Sequence, residues 1–256
     1  MATSASSPGR RSNPVLWAGL LAAAAFAWAL LIRQSPGMPA STAGPWRQFG
    51  PFLLLWVVMM AAMMLPSVAP VASMYLTVLR SRGNAAATHV AMLVAGYLLA
   101  WTGFGVVAFG ISWELGKLAP MDMSPAPSRL AVWGAAITLA VAGLYQFTPL
   151  KAVCLRHCRS PLGFLLHFGT YSRRLRDIRI GVYHGGYCVG CCWSLMLVLV
   201  AVGLMNMAWM ASLTAVVFLE KVWRSGKAFG YAVGGAMILA GMLLPWLPPV
   251  KAALLG

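Results

Sequence analysis

The sequence predicts an all-α fold: a polytopic transmembrane helix bundle of about seven spans, N-terminus inside and C-terminus outside. Three observations carry that prediction. Only 9% of the 256 residues are charged while 61% are hydrophobic, and mean hydropathy is +0.79; a soluble domain coats its surface with about 25% charged residues. Apolar runs of roughly 20 residues, enough to cross a bilayer as a helix, recur along the chain. The 19 Lys and Arg residues, set against four acids, fall between those runs and favour alternate connectors.

The elements follow in order. Residues 1–14 form a disordered basic N-terminus, and residues 15–256 form a single integral membrane domain. Val15 to Ile32, behind Arg10 and Arg11, reads as a retained helix: the run is long for a signal peptide, and Ile32-Arg33-Gln34 offers no small-residue cleavage site. Phe52 to Leu79 carries Pro66 and Pro70, so it is expected to kink or break near its middle, with Ser67 helping to satisfy the carbonyls that the prolines free. Thr88 to Ser112 and Leu130 to Phe147 are ordinary spans. Gly186 to Leu219 is too long for one helix and divides near Gly203 and Asn206 into a tight hairpin. Ala228 to Leu247 stops at Pro248-Pro249. The connector 148–185 is the one with room for further structure. Its Leu162 to Tyr171 segment, followed by Arg173-Arg174-Leu175-Arg176, reads either as an amphipathic piece on an anionic leaflet or as a solvated basic loop.

With the N-terminus inside, 14 of the 19 basic residues fall on the cytoplasmic side, so the charge imbalance is explained by topology and anionic lipids, without nucleic acid. The protein is expected in the inner, or plasma, membrane of a bacterium. The four acids, Glu114, Asp122, Asp177 and Glu220, are too few for a di-iron carboxylate bundle, a paired-acid hydrolase or a calcium cage. Any metal site has to be built mainly from sulfur or imidazole.

All five cysteines lie between positions 154 and 192. Cys154 and Cys158 share a helix face at i, i+4, and Cys188, Cys191 and Cys192 share another at i, i+3, i+4. The topology puts them at the cytoplasmic membrane boundary, where thiols stay reduced. A lone Cys in a membrane helix is more often a small packing residue; a CxxxC followed by a CxxCC points to a soft-metal site, for copper(I) or, second, zinc. Met196, one turn beyond Cys192, and the imidazoles of His157 and His184 are further candidate ligands. Of the 16 Met residues, Met59, Met60, Met63 and Met64 precede Pro66, and Met205, Met207 and Met210 surround Asn206 at the outer turn. Met commonly fills apolar interiors, but thioethers toward the outside with thiolates at the inner end would grade a path for Cu(I). Glu220, beside Lys221 at the inner end of the sixth span, reads either as one half of an interfacial ion pair or, as an ionisable residue at membrane depth, as a functional residue.

The runs Met60-Ala61-Ala62-Met63-Met64-Leu65-Pro66, Tyr145-Gln146-Phe147-Thr148-Pro149-Leu150-Lys151 leading to Cys154 and Cys158, Cys188-Val189-Gly190-Cys191-Cys192-Trp193, and Met205-Asn206-Met207, then Glu220-Lys221, resemble the bacterial family of predicted metal-binding integral membrane proteins, a domain of unknown function. The likeness covers about positions 50 to 225. It implies a polytopic fold and a bound metal, adds Gln146, Lys151 and Asn206 to the residues of interest, and implies no reaction.

The leading expectation is therefore a soft-metal membrane protein that is not an enzyme. It binds Cu(I) through the Cys cluster with a Met relay and acts in transport or delivery, in exchange with a metallochaperone or as part of a larger membrane complex. Two alternatives stay open. One is a thiol-disulfide oxidoreductase that couples Cys188 and Cys191 to a quinone. The other is a non-catalytic subunit or assembly factor that packs through its Gly-rich helix faces. No Walker motif or other nucleotide loop is present, which disfavours an intrinsic pump.

Overall fold

The computed structural model describes residues 14–34, 45–79, 86–118, 129–159, 175–202 and 207–246, and every regular element among them is helical. The chain runs α1 (Pro14–Gln34), α2 (Pro45–Leu79), α3 (Ala86–Leu118), α4 (Arg129–Tyr145), α5 (Pro149–Arg159), α6 (Arg176–Val202), α7 (Met207–Val222) and α8 (Gly226–Leu243). Five helices, α1, α2, α3, α6 and α8, are long and apolar enough to cross a membrane, and the bent pair α4–α5 makes a sixth if it counts as one span. The 16 residues of α7 fall short of the roughly 20 that a full crossing takes. Each of the seven expected apolar runs contributes a helix among the described residues, while length and composition alone qualify five or six as spans. The basic N-terminus before Pro14, the Leu162 to Tyr171 segment, Met205 and Asn206 lie outside the described residues.

Two boundaries differ from the sequence reading. The first concerns α2, which begins at Pro45 and is not broken at its prolines, running as one helix through Pro51, Pro66 and Pro70. The Ser67 hydroxyl donates to the Met64 carbonyl at 2.8 Å. Prolines at 66 and 70 free the carbonyls four residues back, Ala62 and Pro66, so Ser67 does not serve the carbonyls it was expected to serve. The second is the start of α6, ten residues before the expected Gly186. Gly181 and Gly185 fall in what was expected to be connector, yet both serve helix contact. A Cβ on Gly181 would run into the Leu93 backbone, one on Gly96 into the Ile178 backbone, and one on Gly185 would lie 2.7 Å from the Ala100 Cβ. These small residues let α3 and α6 pack backbone to backbone, the most extensive helix pairing in the bundle. The connector 148–185 accordingly holds both α5 and the first turns of α6.

The break between α4 and α5 is encoded locally. Gln146, Phe147 and Thr148 close i→i+3 turns onto Gly143, Leu144 and Tyr145. Thr148 then caps the next helix, accepting the Lys151 N–H at 3.3 Å, and Pro149 takes the first helical position, where its missing N–H costs nothing. The two helices meet at 66°, which swings α5 across the ends of its neighbours. Arg159 at its far end donates to the Trp223 carbonyl at 2.6 Å, just past the C-terminus of α7, where a cation complements the exposed carbonyls.

Candidate metal centre

The cysteines of α6 converge as their spacing requires. The Sγ atoms of Cys188, Cys191 and Cys192 all lie within 4.8 Å of one another, with Cys191 and Cys192 3.2 Å apart. Cys158 reaches in from α5 and sets its sulfur 3.8 Å from that of Cys191. All four are buried thiols. Two metal–sulfur bonds of about 2.3 Å place opposed sulfurs at most about 4.6 Å apart, so one soft ion fits among these three with minor closure. Sulfur donors with no carboxylate among them match Cu(I) or Zn(II), not a hard cation.

Three further helices complete the surroundings. Lys221, the second-last residue of α7, places Nζ 3.0 Å from the Cys188 sulfur and donates to the Ser67 hydroxyl of α2 at 3.1 Å. The Tyr97 hydroxyl of α3 also lies 3.0 Å from the Cys188 sulfur. Cys188 is twelve residues, about 18 Å, into α6 from Arg176. In space, however, it stands level with the ends of the shorter helices: the Tyr145 hydroxyl, at the end of α4, donates to the Gly190 carbonyl at 2.5 Å. The sulfurs therefore sit where α4 and α7 stop and where α2, α3 and α6 continue.

Other expected ligands divide. Cys154 is buried on α5 but stands apart from the three-sulfur group, against Gly190, where an added Cβ would lie 2.8 Å from its sulfur. His157 stacks on Tyr187 with ring centroids 4.2 Å apart and uses Nδ1 on the Val153 carbonyl at 3.0 Å, so its ring is engaged away from the sulfurs. His184 is buried one turn before Cys188, stacked on Tyr97 at 5.8 Å. Met59, Met60, Met63 and Met64 are fully buried in α2, as are Met196 in α6 and Met210 in α7, and Met207 is half-buried. Met60 and Met64 share the face of Ser67, at i, i+4 and i+7, which aims that row toward the helix contacts nearest the sulfurs.

Glu220, adjacent to Lys221 in sequence, pairs elsewhere. Lys151 Nζ donates to its two carboxylate oxygens at 3.0 and 2.7 Å, and also to Gln146 Oε1. Both charged side chains are almost wholly buried. Gly230 of α8 leaves the room: a Cβ there would lie 3.0 Å from Glu220 Oε1. Four of the residues singled out in the sequence, Gln146, Lys151, Glu220 and Lys221, thus occupy two neighbouring networks.

A third network was missed. At the far end of the long helices, Asp177 accepts from the Tyr75 hydroxyl, lies 2.6 Å from His89 Nδ1 and 3.5 Å from Arg176 Nε. It ties α2, α3 and α6 together. The signal was available, since Asp177 is one of four acids in the chain and a carboxylate that rare in an apolar bundle calls for partners. Tyr97 and the Ser67 contact to Lys221 carried no such signal.

The PpoB2 family, described as a copper chaperone, matches residues 53–244, about three-quarters of the chain and the whole of the region that builds the sulfur group. The chain belongs to the PpoB2 copper chaperone family. No curated protein and no solved structure matches it. For a member of that family, a buried all-sulfur group bounded by five helices is the part of the molecule whose chemistry suits copper.

Proposed function

We propose that this protein is a membrane-embedded Cu(I) carrier, holding the ion on Cys188, Cys191 and Cys192 with Cys158 as a further sulfur. The observation that carries the reading is the convergence of three thiols on one buried helical face, free of carboxylate ligands. Soft thiolates select soft ions, and a water-poor site protects Cu(I) from hard competitors. The family description, copper chaperone, supports delivery as the role. Copper would be held at the cytoplasmic-side ends of α4 and α7 and passed to an acceptor protein. The methionines Met60, Met63, Met64, Met196, Met205 and Met207 would form the approach from the other side, and the basic connectors would rest on anionic headgroups of the plasma membrane.

The division of labour among the helices suits a carrier. Cys188, Cys191 and Cys192 are fixed on a helix locked to α3. Cys158 rides on a separate element, α5, an 11-residue helix joined to α4 by a bend and tied to α7 through Lys151 and Glu220, so a turn of α5 about that tie would change the sulfur count around the ion. Fewer sulfurs mean weaker holding, which is the condition for release.

The test is metal content and Cu(I) competition on detergent-purified protein under reducing, oxygen-free conditions. Wild type is expected to take up about one Cu(I) per chain and to compete with bicinchoninate. The Cys191→Ser, Cys192→Ser double variant is expected to lose at least about a hundredfold in affinity, since only one of the three convergent sulfurs remains. Equal, substoichiometric copper in both proteins sinks the proposal.

A further inference from the structure

We propose that Lys221 sets the metal preference of the sulfur group, favouring a monovalent over a divalent soft ion; the inference rests on the Cu(I) reading above and deepens it. Lys221 Nζ is 3.0 Å from the Cys188 sulfur. An ion bonded to that sulfur at about 2.3 Å lies no farther than about 5.3 Å from the ammonium. Any metal held there is therefore close to a fixed positive charge, inside protein, where screening by water is weak.

The charge is directed at the sulfurs. Glu220, the adjacent residue and the nearest acid along the chain, is turned to Lys151, which meets both of its oxygens. Consecutive residues of a helix point about 100° apart, and α7 uses that angle to send the carboxylate one way and the ammonium the other. The remaining contact of Lys221 is the Ser67 hydroxyl at 3.1 Å, a neutral acceptor that holds Nζ in place without cancelling its charge. Tyr97, on the other side of Cys188, is likewise neutral. Once an ion is bound among these sulfurs, the ammonium opposes it.

The opposition discriminates by valence. For the same sulfurs, Zn(II) brings one more positive charge than Cu(I) to the same distance from Nζ. The thiol protons that must leave are the same for both ions when the sulfurs are the same, so their cost cancels in the ratio of the two affinities. What remains in the ratio is one unit of charge repulsion across about 5 Å, worth an order of magnitude or more in binding at a protein-like dielectric. A carrier with this arrangement would hold Zn(II), which thiolates alone accept readily, less tightly relative to Cu(I) than the sulfurs by themselves would.

The experiment measures Cu(I) affinity by competition with bicinchoninate and Zn(II) affinity by competition with 4-(2-pyridylazo)resorcinol, on the full chain in detergent, for wild type, Lys221→Leu and Lys221→Arg. Lys221→Leu removes the charge without adding a metal ligand and is expected to shift the Zn(II)-to-Cu(I) affinity ratio toward zinc by about tenfold or more. Lys221→Arg keeps the charge and is expected to hold the wild-type ratio within about threefold. An unchanged ratio in Lys221→Leu, or an equal shift in Lys221→Arg, overturns the inference while leaving Cu(I) binding intact. Wild-type protein that takes up neither ion overturns the Cu(I) reading itself and this inference with it.

Discussion

Glu220 and Lys221 stand side by side on α7 and enter two different chemistries. Glu220 closes a hard ion pair with Lys151, both partners buried and both carboxylate oxygens engaged. Lys221 ends among sulfurs, 3.0 Å from Cys188, with no carboxylate contact among the described residues. The first network has its charges matched internally. The second joins a cation to a group of thiols that can lose protons and take a soft ion. The difference separates what ties that end of the bundle together from what is proposed to act there.

The sharpest way to break that comparison is to remove one partner of the ion pair. Lys151→Ala leaves the Glu220 carboxylate buried without its cation, and Glu220→Ala does the reverse; either is expected to cost about 3–5 kcal/mol, because an unpaired buried charge loses its compensation. The paired replacement Lys151→Met, Glu220→Leu removes both charges at similar volume and is expected to recover most of that loss. Thermal unfolding in detergent measures stability and bicinchoninate competition measures Cu(I) on the same samples. If the paired variant is stable but no longer binds Cu(I), the two networks are functionally coupled and the separation drawn above is wrong.

A smaller effect is expected from the third network. Asp177→Asn keeps the shape of the side chain but removes the negative charge that faces His89 and Arg176 and weakens the bond from Tyr75. Charge-assisted hydrogen bonds contribute about 1.5–3 kcal/mol each and neutral replacements about half that, so a loss of about 1–3 kcal/mol in stability is expected. This network lies about 16 Å along α6 from Cys188, and Cu(I) affinity is expected to stay within about threefold of wild type, beyond the distance at which substitutions usually couple. A large loss of Cu(I) binding with unchanged stability would move Asp177 into the metal path.

How much of this was legible in the sequence depends on range. The helices were legible because an apolar run is a local property, and the break at Gln146–Thr148 because Thr148 and Pro149 form a local cap. The grouping of Cys188, Cys191 and Cys192 was legible because three residues at i, i+3 and i+4 share a helical face in any fold. The start of α6 was not, since Gly181 and Gly185 look like loop residues until the Leu93 and Ala100 contacts that need them are known. Nor was the pairing of Glu220. Sequence proximity pointed to Lys221, but neighbours on a helix diverge, and the true partner, Lys151, is 69 positions away. Tyr97 and Ser67 looked like ordinary polar residues of apolar spans, because their role depends on how α2 and α3 lie against α6 and α7.

The smallest expected effect concerns a cysteine that spacing alone cannot sort. Cys154 and Cys158 lie on one face of α5, and the sequence gives no reason to separate them. The structure does: Cys158 stands 3.8 Å from the Cys191 sulfur, whereas Cys154 packs against Gly190, where a Cβ would come within 2.8 Å of its sulfur. A glycine at 190 gives Cys154 space as a packing residue and leaves the ion to Cys158. Cys154→Ser is therefore expected to change Cu(I) affinity by less than about threefold, and Cys158→Ser to lower it by about tenfold, with one fewer sulfur in the copper X-ray absorption spectrum of the latter alone. Should Cys154→Ser prove the more damaging of the two, α5 would have to turn to present its other sulfur, and the bend at Thr148 would be a moving part of the metal centre, not a fixed corner.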